Sequence, residues 1–203
     1  MLTLFHSPQS RSTAIVALIE ELGIQDRVEI REVTISRMDG SGGRDPSNPH
    51  PEGKVPALVH DGRVITERAA IILHLTSLVP DSGMAPPVGT PDWGVFAMWM
   101  AWYQGVLEPT FIMADAGLTL PGLSAAIRDH RTALARLHAA LDKGPWILGE
   151  RYSAADLLLH SPYAWLPAAT PEDPVLRDWI DRSKARPALV RVKERDAARR
   201  QVA

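Results

Sequence analysis

The chain contains no cysteine. Disulfides, thiolate metal sites and any mechanism that takes its sulfur nucleophile from the protein are therefore excluded. A sulfur that belongs to a substrate is not. A charge of one sign is also missing, since 22 Lys and Arg stand against 24 Asp and Glu for a formal net charge of −2. That balance gives no general pull toward nucleic acid or an anionic membrane. Basic residues gather late, at Arg182, Lys184, Arg186, Arg191, Lys193, Arg195, Arg199 and Arg200, but Asp181, Glu194 and Asp196 interrupt them. The pattern predicts a solvated helix face. No apolar run approaches the roughly 20 residues of a membrane span, and Met1-Leu-Thr-Leu-Phe-His lacks the charged start and apolar core of a signal peptide. A soluble cytoplasmic protein with no nucleic-acid or membrane partner is expected. The seven histidines are scattered without metal-ligand spacing, so no metal is expected.

What is present is a change of character along the chain. Leu2–His6 reads as a buried strand and Ser7–Ser12 as a polar turn. Thr13–Leu22 has apolar residues at helical spacing and stops at Gly23, and Val28–Val33 alternates apolar and charged residues as a second strand. Strand–helix–strand favours a parallel pair with a right-handed crossover. Residues 35–53 are rich in Gly, Pro, Asp, Asn and Ser and predict a long loop or a fragmentary helix. Ala57–His60 and Arg63–Ile65 flank Asp61-Gly62, the strongest short hairpin signal. Thr66 can cap a helix starting at Glu67 and carrying Ala69, Ile71, Ile72 and Leu75. Val55-Pro56, just before the hairpin, is a candidate cis bond, because proline lowers the cost of that isomer to about 0.5–1 kcal/mol. The order β-α-β, loop, β-β-α is that of a thioredoxin-like domain.

Residues 80–91 carry four prolines and little periodicity and read as a linker. From Asp92 the patterns are helical. Trp93–Glu108 is apolar and aromatic, and Pro109 is placed to kink or end it. Leu123–Leu141 reads as one amphipathic helix with Ala126, Leu134, Leu137 and Leu141 inside. Ser153 and Asp156 have capping-box spacing, and two short helices, Pro174–Ala185 and Pro187–Ala198, close the chain. The expected division is a thioredoxin-like domain over 1–79, a linker over 80–91 and an all-α domain over 92–203.

Four stretches carry a resemblance. Asn48-Pro-His-Pro-Glu-Gly-Lys-Val-Pro-Ala-Leu resembles Asn-Pro-x-Gly-Lys-Val-Pro-x-Leu, with extra residues before the glycine. Val64-Ile-Thr-Glu-Arg-Ala-Ala-Ile resembles Leu-x-Glu-Ser-x-Ala-Ile. Gly149-Glu-Arg-Tyr-Ser-Ala-Ala-Asp resembles Gly-x-x-Phe-Ser/Thr-x-Ala-Asp. Phe5-His-Ser-Pro-Gln-Ser-Arg-Ser is similar to a branch with Ser-Arg-Ser at its first turn. In this order they resemble the cytosolic glutathione transferases. The resemblance implies a glutathione site in the first domain, a variable pocket for an apolar electrophile between the domains, and a homodimer. Position by position it implies that Val55 pairs through its backbone with the cysteinyl part and that Pro56 is the cis-proline. Glu67 would hold the γ-glutamyl amine and Lys54 would meet the glycyl carboxylate. The next family position is usually Ser; Arg68 stands there, so its backbone N–H or its guanidinium would take the γ-glutamyl carboxylate.

A thiol attacks as thiolate, and a hydroxyl donor at a helix start favours that form. Ser7, Ser10 and Ser12 all lie near such a start. Analogy with the Ser-Arg branch points to Ser10, with Ser12 the alternative and Gln9 joining the glutathione contacts. Arg11 falls where some bacterial relatives have cysteine. His6 reads as a pocket-lining or hydrogen-bonded residue rather than a base, and Trp102 and Tyr103 are the aromatic candidates for the electrophile pocket. The expected activity is a glutathione S-transferase. A glutathione-binding carrier, or a glutathione-dependent isomerase, dehalogenase or peroxidase, is the alternative on the same scaffold.

Overall fold

The computed structural model describes residues 1–200. β1 (Leu2–His6) is buried along its length, α1 (Thr13–Glu21) follows the polar turn, and β2 (Val28–Glu32) returns parallel to β1. α1 ends where the pattern predicts, with Gly23 at φ +66°, a conformation that glycine enters without steric penalty. β3 (Ala57–His60) runs antiparallel to β1, and β4 (Arg63–Ile65) antiparallel to β3, for a sheet order β2-β1-β3-β4. Asp61 and Gly62 both have positive φ, +45° and +80°, as a type I′ hairpin requires. This is the thioredoxin-like arrangement expected from the element order.

One consequence of the register positions everything that follows. β1 ends where β3 begins, since Phe5 pairs with Ala57. β4 ends beside the start of β3, since Ile65 pairs with Leu58. The turn after β1, the segment before β3 and the segment after β4 therefore meet at one end of the sheet.

α2 (Arg68–Ser77) differs from its expectation at the start. The N-cap is Glu67, not Thr66, and its side chain caps nothing. Glu67 has φ +65° and ψ 123°, which breaks helical geometry there and leaves Thr66 outside the capping position. α1 is buried from Thr13 through Ile19 because α2 and the last helix, α10 (Pro187–Arg200), both pack on it. α10 contributes a stripe of buried residues, Ala188, Leu189, Val192 and Asp196. Its outer basic residues bind α1 as well: Arg191 Nε and Arg195 Nη1 lie 3.1 and 3.2 Å from the Glu20 carboxylate. The first compact unit is accordingly Met1–Ser82 with the chain from Pro187 onward, and the second is Gly83–Arg186. The division drawn from sequence put α10 with the helical region; its Leu189–Val192–Asp196 stripe is buried in the first unit instead. Residues 201–203 of that division lie outside the described residues.

The second unit is helical, with α3 (Pro91–Trp102), α4 (Glu108–Asp115), α5 (Pro121–Ile127), α6 (His130–Leu141), α7 (Ala154–Leu159), α8 (Ser161–Trp165) and α9 (Pro174–Lys184). Pro109 does not end the first of these. The helix passes through a π segment at Tyr103–Leu107 and continues to Asp115, a register change that accommodates a residue with no N–H. The single helix expected over Leu123–Leu141 is two. Arg128 has φ +66° and Asp129 caps α6 by accepting from Thr132 N at 2.7 Å. Ala126 is exposed as a result, while Leu137 and Leu141 are buried as expected. The capping box at α7 is present: Asp156 accepts from Ser153 N at 3.0 Å, and Ser153 Oγ from Ala155 N at 3.2 Å. Among the described residues no helix is long and apolar enough to cross a membrane.

Candidate functional site

The turn after β1 is organised by a residue from the far end of the chain. Asp196 of α10, 2 % exposed, accepts from Gln9 N at 3.0 Å, from Thr13 Oγ1 at 2.6 Å and from His6 Nε2 at 3.2 Å. Burial alone would push this carboxyl up, but the hydrogen bonds from His6, Thr13 and Gln9 outweigh it and hold the group below the usual carboxylate range. Gln9 is drawn into φ +52°, unusual for a residue with a side chain. Arg37 closes the outer side of the turn, donating from Nη2 to Ser7 Oγ at 3.1 Å and to the Pro8 carbonyl at 2.9 Å. Nothing local in the sequence marks Asp196. The available signal was its spacing: it falls four residues after Val192 on the apolar face of its helix, where an unpaired acid is rare.

The three serines have different surroundings. Ser7 is buried and accepts from Arg37. Ser12 holds the N-cap position of α1, yet its side chain makes no cap bond. Its hydroxyl is instead 2.8 Å from His6 Nδ1 and 2.7 Å from Ser10 Oγ, and it accepts from Ser7 N at 3.2 Å. Ser12 has no exposed surface, its hydroxyl being enclosed by Ser7, His6 and Ser10. Ser10 is half-buried and is the one of the three hydroxyls that solvent reaches. Its backbone N–H donates to Thr13 Oγ1 at 3.3 Å, and its Oγ accepts from Ser12 N at 3.2 Å.

The three residues expected near the electrophile are all buried, and His6 fits the hydrogen-bonded alternative of its reading. His6 is 2 % exposed, and both ring nitrogens are engaged, by Ser12 and Asp196. Tyr103 is fully buried in the second unit with its hydroxyl 3.3 Å from Ser161 Oγ. Trp102 is buried edge-on to Trp99, with the Arg136 guanidinium 4.8 Å from its ring centre. Ring packing on Trp99 accounts for the burial of Trp102.

The facing half of the site begins at the Val55-Pro56 bond, which is cis. Val55 packs with Phe5, Val33 and Ala57, tying this segment to β1. Asn48, quoted in the motif but assigned no role from sequence, shapes the approach: its Nδ2 donates to the Lys54 carbonyl at 3.0 Å and its Oδ1 accepts from His50 N at 3.1 Å. Lys54 is exposed and ion-paired with Glu52. That pairing, with a weaker pull from Glu67 against a push from Arg11, raises its ammonium above the usual range. Lys54, Glu67 and Arg11 thus share one electrostatic field. Glu67 is exposed and held at φ +65°; such a conformation costs on the order of 1–3 kcal/mol for a residue with a side chain and concentrates at functional sites. Arg68 is only 6 % exposed, so its guanidinium is set into the unit and not offered at the surface. The first turn of α2 follows directly, where helix amides lack intrahelical acceptors and the dipole favours negative charge.

A half-exposed hydroxyl, a cis-proline segment, an ammonium, a carboxylate and a helix start therefore meet at one sheet end. Known proteins are similar to this chain in sequence and in fold. Residues 6–78 match the family model for the N-terminal domain of glutathione S-transferases. The chain is 27 % identical over 164 residues to glutathione S-transferase GstA of Escherichia coli O157:H7, covering 80 % of this chain and 81 % of that one. Its fold superposes on the bacterial transferase BphK with a TM-score of 0.76 at 24 % identity, over 96 % of this chain and 99 % of that one. A sphingomonad glutathione S-transferase solved with glutathione gives a TM-score of 0.75 at 26 % identity, over 96 % and 98 %. The thioredoxin-like order followed by a helical unit is thus the fold of these transferases, and within it residues 6–78 carry the match to a glutathione S-transferase N-terminal domain.

Proposed function

We propose that the protein is a glutathione S-transferase that binds glutathione at the shared sheet end and activates its thiol for attack on a small apolar electrophile. The observation that carries this reading is Glu67, held in a left-handed conformation at the end of the sheet that also bears the cis Val55-Pro56 bond and the serine turn. Glutathione is a zwitterionic peptide with one amine and two carboxylates. Glu67 suits the γ-glutamyl amine and Lys54 the glycyl carboxylate. Of the two options at Arg68, the backbone N–H at the start of α2 suits the γ-glutamyl carboxylate, since the guanidinium is buried. Val55 pairs with the cysteinyl backbone, Gln9 flanks it, and Ser10 is the hydroxyl for the sulfur. The sphingomonad relative, with glutathione bound, supports the ligand class. An isomerase, dehalogenase or peroxidase on this site would start from the same thiolate and differ in what it attacks and in the steps that follow.

Isothermal calorimetry tests the reading. Glutathione is expected to bind the wild-type chain, and Glu67→Gln to weaken it by about tenfold, the loss of one charge-assisted hydrogen bond. Absence of binding at millimolar glutathione would sink the proposal. The protein is also expected to act as a homodimer in the cytoplasm: Val95, Met98 and Ile112 give the α3–α4 helices exposed apolar residues that a second copy would cover. A monomer in sedimentation at micromolar concentration would contradict that.

A further inference from the structure

Asp196, His6, Ser12 and Ser10 form one unbroken hydrogen-bonded chain. Asp196 Oδ1 is 3.2 Å from His6 Nε2, His6 Nδ1 is 2.8 Å from Ser12 Oγ, and Ser12 Oγ is 2.7 Å from Ser10 Oγ. The three inner members are buried, and Ser10 is the partly exposed end. Proton directions along the chain follow from its inner end. An ionised Asp196 can only accept, so His6 Nε2 carries a hydrogen. With the ring neutral, Nδ1 offers a lone pair and Ser12 donates to it. The competing acceptor, the Ser7 carbonyl, is 3.4 Å away, beyond the roughly 2.5–3.0 Å of a good O–H···O bond. Ser12 Oγ is then left to accept, from Ser7 N–H and from the Ser10 hydroxyl. The Ser10 hydrogen therefore points inward. In this state Ser10 presents a lone pair to a ligand and cannot donate to a thiolate.

We infer that the thiol of bound glutathione passes its proton into this chain and that His6 keeps it, an extension that rests on the glutathione reading above. The S–H bond breaks as an O–H bond forms at Ser10 Oγ, the original Ser10 hydrogen moves to Ser12 Oγ, and the original Ser12 hydrogen moves to His6 Nδ1. The S–H electron pair stays on sulfur, so the products are a thiolate and an imidazolium, with nothing oxidised and no proton lost to solvent. The hydrogen bonds from the sulfur to His6 Nδ1 reverse, while His6 Nε2 goes on donating to Asp196. The imidazolium donates to Ser12, Ser12 to Ser10, and Ser10 now donates outward to the sulfur. Asp196 offsets the new charge, which would be costly in a buried site without a partner. Among the described residues, Glu32, the register partner of His6 on β2, is ion-paired with Arg199, and Arg37 is bound to Ser7 and Pro8 at the turn. His6 and Asp196 are thus positioning residues that act through Ser10 without touching glutathione.

Two readouts on the wild-type protein test this, with no reliance on a variant that fails to fold. Nitrogen-15 NMR of the His6 ring is expected to show the Nε2–H tautomer in the free protein and an imidazolium when glutathione saturates the site. Calorimetry in buffers of different ionisation enthalpy, with thiolate absorbance followed in parallel, is expected to show thiolate forming with almost no proton released to buffer. In His6→Gln and Asp196→Asn the thiolate-to-thiol ratio is expected to fall about tenfold, a rise of about one unit in the thiol pKa, with one proton released for each thiolate that forms. A neutral His6 beside a fully formed thiolate, with one proton per thiolate in the buffer, overturns the relay and leaves the glutathione site intact. Binding with the thiol left protonated overturns it as well. No binding at all overturns the glutathione reading itself.

Discussion

Asp156→Ala is expected to cost about 3–5 kcal/mol of folding stability. The Asp156 carboxylate has no exposed surface and receives four hydrogen bonds: Ile147 N at 2.9 Å, Trp179 Nε1 at 2.9 Å, and Ser153 N and Ser153 Oγ both at 3.0 Å. It fastens the segment before α7, the cap of α7 and the fully buried Trp179 of α9 to one point. Alanine leaves those donors buried with nothing to accept from them, and each orphaned group costs roughly 1–3 kcal/mol. In a chain of this length the loss corresponds to a drop in Tm of roughly 10 °C. Asp156→Asn keeps the shape but turns an NH₂ toward donors, so an intermediate loss is expected. Denaturant unfolding measures both. A loss below about 1 kcal/mol for the alanine variant would mean that water or neighbouring carbonyls replace the carboxylate.

Ser10→Ala is expected to lower kcat by about a hundredfold with KM little changed, the scale of removing one preorganised donor from a developing or settled negative charge. The split between the two constants decides its meaning. A hydroxyl that stabilises thiolate acts on the reacting atom, whereas in the proposed site glutathione affinity would be spread over Lys54, Val55, Glu67 and the start of α2. A rise in KM at constant kcat would recast Ser10 as a binding residue. Ser7→Ala provides the contrast, because Ser7 Oγ is occupied by Arg37, and steady-state turnover of that variant is expected to stay within a few-fold of wild type.

The sheet was legible to the residue at most of its strand ends, and the reason is local chemistry. Asp61-Gly62 specifies its turn, Gly23 its helix stop, and the alternation over Val28–Val33 its second strand, one residue longer than the strand that forms. The helical unit was less legible. An apolar pattern spanning Leu123–Leu141 masked the break at Arg128, although Asp129 and Thr132 carry a capping signal that outranks periodicity once it is noticed. The site divides in the same way. Val55, Pro56 and Glu67 sit in motifs a few residues long and could be named from them. The residues alone left the choice between Ser10 and Ser12 open, because their difference is one of burial. Asp196 was counted as a charge interrupting a basic run. Its partners His6, Gln9 and Thr13 lie more than 180 residues earlier, a separation that no local pattern spans. The same distance hides which partner makes His6 the hydrogen-bonded residue that the sequence allows.

The place of α10 in the first unit also sets an order in time. A chain leaves the ribosome from its N-terminus at about 5–20 residues per second, so the sheet, α1 and α2 emerge well before Asp196 does. Until the intervening helical unit has been synthesised, the serine turn exists without the carboxylate that accepts from Gln9, Thr13 and His6. The nascent first unit can form its strands, but its serine turn is completed last, and only in chains whose translation reaches that helix.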